Sequence, residues 1–338
     1  MSLTAEPMHD VLIIGGGPAG LAAALALCRQ NHNSIVFDSG IYRNRFASEM
    51  HMVSTWDHRS PGDFLAAGRA ELTKRYPDLC TVVNSEIATI KRVSAPGAPS
   101  IFEASDAAGT NKWRGRKVIL ATGVRDLLPF IDGIEDCWGH GVIHCLLCHG
   151  HEQRGAESVA VLALDGFAES SGILRVVRSC KQFAKRVRIY TNGNKRVATQ
   201  LRPVAASVPG CDVEAGDIER FEMVKSASEG GNEEERLHIV LEGADEDDGP
   251  TKEHTHSFAM YHAGTEQASS LVGDLGVQLN DEGDIKLGAF AETSQPGVFA
   301  AGDCASRHKF VTTASSNGFR AGDGVAQQLQ AEGAEIAA

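Results

Sequence analysis

The sequence lacks any apolar run near the roughly 18 residues that a membrane-spanning helix needs. The stretch from Val11 to Leu27 is cut by Gly15, Gly16, Gly17, Pro18 and Gly20. No membrane helix is expected. Residues Met1–Asp10 carry no basic segment of the kind that opens a secretory signal, and the first apolar run leads into a glycine turn, not a cleavage site. A cytoplasmic protein is expected. Basic charge is also scarce: 32 Lys and Arg against 44 Asp and Glu leave a formal net charge of -12. The basic clusters, Arg43–Arg45 and Arg114–Lys117, are short, whereas a phosphate-backbone partner needs a basic patch. Nucleic acid is therefore excluded as a partner. Eight cysteines in 338 residues, without the short length of a small disulfide scaffold, point to reduced thiols. In a reducing compartment, a close cysteine pair is catalytic or metal-binding more often than structural.

What is present points to two domains, since 338 residues at 42% hydrophobic content can fill one large or two medium cores. Asp10–Ile14 reads as a buried strand, followed by a glycine turn, a helix from about Ala19 to Arg29, a second strand Ser34–Phe37, and Asp38. This is a βαβ unit. Its turn, Gly15-Gly16-Gly17-Pro18-Ala19-Gly20, satisfies G-x-G-x-x-G. The first glycine permits the tight turn, the second lets the backbone approach a pyrophosphate, and the third lets helix and strand pack closely. The helix N-terminus offers N–H groups to the phosphates, and Asp38 stands at the spacing of a carboxylate that accepts ribose hydroxyls.

Two later strands, Lys117–Ala121 running into Thr122-Gly123 and Gly297–Ala301 running into Gly302-Asp303, also end as strands do at a ligand site. Between them, Ser158–Leu164, a helix from about Glu169 to Ala184, and Val187–Tyr190 form a second βαβ-like unit. The expected fold is α/β, with two Rossmann-like, three-layer ββα nucleotide-binding domains, the second inserted in the first. Residues 1–124 and 259–338 form one domain and 125–258 the other. The acidic stretches Ser226–Glu235 and Gly243–Thr255 read as solvated loops joining hairpin strands.

The most informative stretch runs from Gly139 to His151 and places His140, His144, Cys145, Cys148, His149 and His151 within a dozen residues or so. Two cysteines at this spacing can close a small disulfide ring, and nearby cationic or dipolar groups lower a thiol pKa. A thiol near 8.5 is only a few per cent thiolate at neutral pH; one near 7 is about half thiolate, a gain of roughly tenfold in the reactive species. Zinc is the competing reading, but a structural zinc site wants a defined set of four ligands, usually with a second, distant pair. No metal site is assigned. Imidazole titrates near neutrality and suits proton transfer to and from thiols.

GGGPAG near the N-terminus, Ala121-Thr122-Gly123 mid-chain, an inserted domain with C-x-x-C, and Gly302-Asp303 near the C-terminus resemble the low-molecular-weight thioredoxin reductases over nearly the whole chain. That resemblance implies FAD in the first site, held by Gly15, Gly17, Pro18, Ala19 and Gly20, by Asp38 and Ser39, and by Ala121. It implies that Gly302 and Asp303 contact the ribityl and phosphate region and that Val311 and Thr312 lie near the flavin ring. Arg43, Asn44 and Arg45 either reach phosphate or adenine or form an exposed basic turn; His51 either approaches the flavin or is packed. In the same family the second cysteine, here Cys148, faces the flavin and the first, Cys145, meets the substrate sulfur. Those reductases place an Asp immediately after the second cysteine, where this chain has His149. The acid/base role then passes to His140, His144 or His149, with His140 or His144 preferred.

A reductase also needs a second glycine fingerprint for NADPH. The corresponding segment, Val159–Ala168, keeps only Gly166, and Asp165 would repel a pyrophosphate. The next strand ends in Tyr190-Thr191-Asn192-Gly193-Asn194, not in an arginine-rich grip, with Lys195 and Arg196 only later. NADPH binding is expected to be impaired or lost. GHGVIHC-x-x-CHG and the segment Met50–Arg59 more closely resemble the fungal dithiol oxidases that close the disulfide of gliotoxin and related epidithiodiketopiperazines. This implies an FAD-dependent thiol oxidase, acting on a small-molecule dithiol and O2 and releasing hydrogen peroxide, as a homodimer. The alternatives are an NADPH-dependent disulfide reductase and a zinc-binding or redox-silent interaction protein.

Overall fold

The structure is a computed structural model that describes residues 8–95, 98–164, 170–227, 233–242 and 252–337. By internal contacts the chain divides into two units, the first made of 1–45, 53–126 and 265–338, the second of 46–52 and 127–264. These limits differ from the expected 124/125 and 258/259. Residues 46–52, placed in the first domain by sequence, pack within the second, because His51 and Phe46 find their partners there.

The first unit opens with β1 (Met8–Ile14), α1 (Pro18–Arg29), β2 (Ser34–Asp38), α2 (Pro61–Arg75) and β3 (Cys80–Asn84), followed by β4 (Ile87–Arg92), β5 (Phe102–Asp106), β6 (Lys112–Leu120) and β7 (Val124–Leu127). Six strands of its seven-stranded sheet run in the order β3-β2-β1-β6-β5-β4, parallel from β3 to β6 and antiparallel in the last two pairings, and a seventh from the end of the chain pairs with β6 off this path. The apolar run of β1 is continuous because both faces of the sheet are covered. Val11 and Ile13 enter one core with α1, while Leu12 and Ile14 enter another with β4 and β5, the alternation that a strand dictates.

The second unit holds α3 (Ile134–Cys137), β8 (Val142–Ile143), α4 (Leu146–His149), β9 (Ala156–Leu162), α5 (Ser170–Cys180), β10 (Ala184–Tyr190), α6 (Lys195–Ala206) and β11 (Cys211–Glu214). Then come β12 (Ile218–Ala227), β13 (Glu233–Leu241), β14 (Lys252–His256), β15 (Ala259–Met260) and β16 (Gly264–Gln267), which pairs with β7 where the chain returns to the first unit. A five-stranded parallel sheet, β11-β10-β9-β15-β8, lies beside an antiparallel β12-β13-β14 sheet. The two acidic stretches are therefore not wholly loops. Strands β12 and β13 pair as far as Ala227 with Glu233, and β14 takes up Lys252–Thr255. Charge did not prevent strand formation there, because an antiparallel sheet can leave one face to water.

The chain ends in α7 (Leu271–Asp274), β17 (Val298–Ala300), parallel to β6, and α8 (Val311–Ala337). Helix α8 lies so close to α1 that a Cβ on Gly318 would come 2.1 Å from the Ala19 carbonyl oxygen, and one on Gly322 would come 2.8 Å from that of Ala23. Small residues on both helices make that approach possible. Among the described residues no helix is long and apolar enough to cross a membrane.

Candidate active site: a nucleotide cradle and a dithiol

In the first unit the glycine turn separates into two kinds of glycine. Gly15, at φ 118°, and Gly20 are demanded by the chain itself: a Cβ on Gly15 would lie 2.2 Å from the Ala121 carbonyl oxygen, and one on Gly20 would lie 1.9 Å from that of Gly15. Gly17 is different. It occupies the N-cap of α1 at an ordinary φ of -75°, and among the described residues a Cβ there would meet nothing within 4 Å. The protein leaves open space at a helix N-terminus whose first turn carries no acid, with Pro18 at its start. That is the space and polarity a pyrophosphate requires. The residues present fit FAD.

Asp38 is buried at the end of β2, and its carboxylate accepts hydrogen bonds from the Gly40 N–H (2.9 Å), the Tyr42 hydroxyl (2.6 Å) and the Arg69 guanidinium. A carboxylate offers about four lone-pair sites, so room remains for one ribose hydroxyl. Ser39 is exposed beside it. Arg43 binds Asp126 (2.6 Å) and Asp303 (3.1 Å), and Arg45 donates to the Tyr42 carbonyl; Asn44 is half-buried. Burial pushes the Asp303 carboxyl above the usual carboxylate range, and Arg43 opposes that rise. Gly302, at φ 83°, lies against Ala19, while Val311 and Thr312 open α8. Tyr42 and Arg69 carried no signal in the sequence.

In the second unit Cys145 and Cys148 are joined as a disulfide, with Cα atoms 5.2 Å apart. The pair follows β8, so it stands at the carboxyl end of a parallel strand, where α/β sheets place ligands. Cys145 is buried and caps the single-turn helix α4: its Sγ accepts the Cys148 N–H at 3.1 Å, a contact that favours a thiolate once the disulfide opens. Cys148 is half-buried. The six other cysteines are free and, apart from half-buried Cys211, buried. Burial pushes Cys137, Cys211 and Cys304 up to about 11 and Cys180 up to about 12, which leaves their thiols inert at neutral pH.

The histidines around the dithiol separate. His144 stacks on the buried Trp138 ring, with centroids 5.5 Å apart and planes at 23°. His140 and His149 instead line a cavity of about 170 Å³ together with Glu49, His51, Glu152 and Phe258. His51 was the unexpected member: its Nδ1 lies 2.6 Å from the Cys148 carbonyl oxygen, and its ring meets that of His149 edge-on at 6.5 Å. Burial, reinforced by His51 and His140, lowers the His149 pKa below its ordinary value, while Glu152 opposes the shift. His149 is therefore held neutral, the form that can accept a proton from a thiol. Glu152, four residues beyond Cys148, was passed over in the sequence although the spacing was there to read.

The pyridine nucleotide-disulphide oxidoreductase family model matches residues 9–163 and 221–318, spanning both the cradle and the dithiol. The chain belongs to that family. It is an FAD-binding oxidoreductase, as the family's flavoproteins are. A thioredoxin reductase of Gibberella zeae is 39% identical over 350 residues, covering 95% of this chain and 98% of the relative. The thioredoxin reductase sirT of Leptosphaeria maculans is 38% identical, covering 99% and 98%. Among solved structures, HlmI matches with a TM-score of 0.79 at 26% identity over 100% of this chain and 97% of that one. An oxidoreductase from Agrobacterium tumefaciens matches with a TM-score of 0.75 at 26% identity, over 96% and 99%. Within this pyridine nucleotide-disulphide oxidoreductase, the altered fingerprint residues Asp165, Gly166, Phe167 and Ala168 lie outside the described residues.

Proposed function

We propose that the protein is a dithiol oxidase, which forms an intramolecular disulfide in a small-molecule dithiol of the epidithiodiketopiperazine type. The observation that carries this reading is the neutral, cavity-lining His149 next to Cys148, where the resembling reductases have an acid. The base assigned is therefore His149; His140 lines the same cavity, and His144 is engaged with Trp138.

A substrate thiol gives its proton to the imidazole, and the resulting thiolate attacks the Cys145 sulfur. The Cys145–Cys148 bond breaks, and Cys148 leaves as a thiolate while a mixed disulfide forms on Cys145. The second substrate thiol, deprotonated in turn, attacks the substrate sulfur of that mixed disulfide. The substrate leaves as a disulfide, two electrons poorer, and the enzyme holds a dithiol. FAD, when bound by the glycine turn and Asp38, supplies a two-electron acceptor that O2 can reoxidise with release of hydrogen peroxide. The net change is one dithiol and one O2 converted to one disulfide and one H2O2.

The second unit supports this direction of flow. On β10, the cation Arg188 is held bidentate by Asp212 and also contacts His254, while the Tyr190 hydroxyl is held between His254 and His256. The cation and the hydroxyl of β10 are thus engaged by neighbouring side chains instead of being left for a nucleotide. The experiment is anaerobic flavin absorbance. A small reduced dithiol should bleach the flavin, NADPH should not, and air should restore the colour with one peroxide per disulfide. Cys148→Ser should abolish bleaching by dithiol. Rapid bleaching by NADPH would overturn the oxidase reading in favour of a reductase.

A further inference from the structure

We propose that His51 is a positioning residue for the dithiol, holding the peptide that joins Cys148 to His149 through its Nδ1 and backed by Glu152 on its other side. The inference rests on the reading of Cys145, Cys148 and His149 given above. It assigns roles to two residues that the reading leaves unused.

Helix α4 is one turn long, so its terminal carbonyls need partners from outside it. The Cys145 carbonyl takes the N–H groups of Cys148 and His149, and the Leu146 carbonyl takes that of Gly150. The Cys148 carbonyl takes His51, at 2.6 Å. A carbonyl can only accept, so His51 carries a hydrogen on Nδ1. Its Nε2 then faces Glu152 Oε1 at 3.5 Å and Glu49 Oε2 at 3.9 Å, two carboxylates that hold the ring from behind when Nε2 also carries a proton. The peptide between Cys148 and His149 is planar. Holding its oxygen therefore fixes the orientation of the unit that carries the redox sulfur on one side and the base on the other.

The segment bearing His51 is anchored a second time. Phe46 lies against Gly139, where an added Cβ would come 2.8 Å from Phe46 Cβ, at a φ of 83° that favours glycine. His51 is thus held against the dithiol loop by packing as well as by its own bond. Three charged or titratable groups bear on His149 from the elements around it: His51 and His140 act to keep it neutral, and Glu152 acts the other way. Glu49 lines the same cavity.

The test uses the holoenzyme and two substitutions at one position. Asn places an amide N–H near the position of the histidine Nδ1, so His51→Asn keeps a donor for the Cys148 carbonyl but loses the ring; His51→Ala loses both. Anaerobic reduction of the flavin by dithiothreitol should slow about tenfold in His51→Ala, the usual scale for a lost oriented hydrogen bond, and return to within about threefold of wild type in His51→Asn. The imidazole titration of His149, followed by NMR, should move upward in both variants and downward in Glu152→Gln. An Ala variant with wild-type rate and an unmoved His149 titration would overturn the proposal. So would an Asn variant as slow as Ala. Should His51→Ala fail to fold, the downward shift in Glu152→Gln and the rate of His51→Asn still decide it. If dithiothreitol fails to reduce even the wild-type flavin, the oxidase reading has failed, and the His149 titrations test His51 without it.

Discussion

The Tyr190 hydroxyl lies 2.7 Å from His256 Nε2, deep in the second unit, and the same hydroxyl lies 2.7 Å from His254 Nδ1. The proton order along this chain follows from one end. Arg188 Nη1, 3.0 Å from His254 Nε2, can only donate, so His254 carries its hydrogen on Nδ1 and gives it to Tyr190. Tyr190 then donates to His256, whose own hydrogen is left on Nδ1 to reach the Ser158 hydroxyl at 2.9 Å. Every member is neutral except Arg188, and burial, helped by His254 and Arg188, depresses His256 to about 3.

A pH dependence of stability follows. The unfolded histidine titrates near 6.5, so between that value and about 3 the unfolded chain binds a proton that the native chain refuses. Stability should be complete above pH 6.5 and fall on acidification through that window, with a limiting slope of about 1.4 kcal/mol per pH unit. Denaturant midpoints measured between pH 7 and pH 5 should fall less steeply in His256→Gln than in wild type. Equal slopes would remove His256 as the cause.

The two kinds of glycine in the turn should respond differently to the same added methyl. Gly20→Ala places a Cβ 1.9 Å from the Gly15 carbonyl oxygen, and the protein should be recovered unfolded or not at all. Gly17→Ala meets no atom of the described residues, so the melting temperature of the flavin-free protein should stay within about a degree or two. Its flavin affinity should fall by about tenfold or more, which is about 1.4 kcal/mol of binding. Normal flavin retention by folded Gly17→Ala would contradict the placing of the pyrophosphate there.

Arg43 is only 17% exposed, between Asp126 at 7% and Asp303 at 19%. Arg43→Gln leaves two shielded carboxylates without their shared cation, at a cost on the order of 3 kcal/mol at pH 8. Without the cation, Asp303 titrates higher in the folded than in the unfolded chain. The native state then binds more protons, so part of the loss should be regained as pH falls from 8 to 5. Thermal melts of wild type and variant at both pH values would show it. A deficit independent of pH would mean that the arginine acts by packing alone.

Much of the architecture was legible because the local patterns agreed with the tertiary environment. Strand β1, the glycine turn, α1, β2 and Asp38 are readable as one βαβ unit because a parallel strand buried on both faces is apolar throughout, and the turn that follows must be glycine. The acidic stretches after Lys225 and after Glu242 misled for the converse reason. Charge reports exposure, and an exposed strand looks like a loop.

At the site, the sequence by itself determined the disulfide pair, since Cys145 and Cys148 need only local geometry to meet, and the absence of an acid after the second cysteine. Tertiary structure alone decided which histidine is available. The sequence left His140, His144 and His149 all open, with His140 or His144 preferred, yet His144 stacks on Trp138 while His140 and His149 reach the cavity. Tertiary structure also brought His51 to Cys148 across 97 residues and tied Arg43 to Asp303 across 260. No periodicity encodes such pairs: a local pattern records how buried a side chain must be, while its partner depends on how distant segments pack.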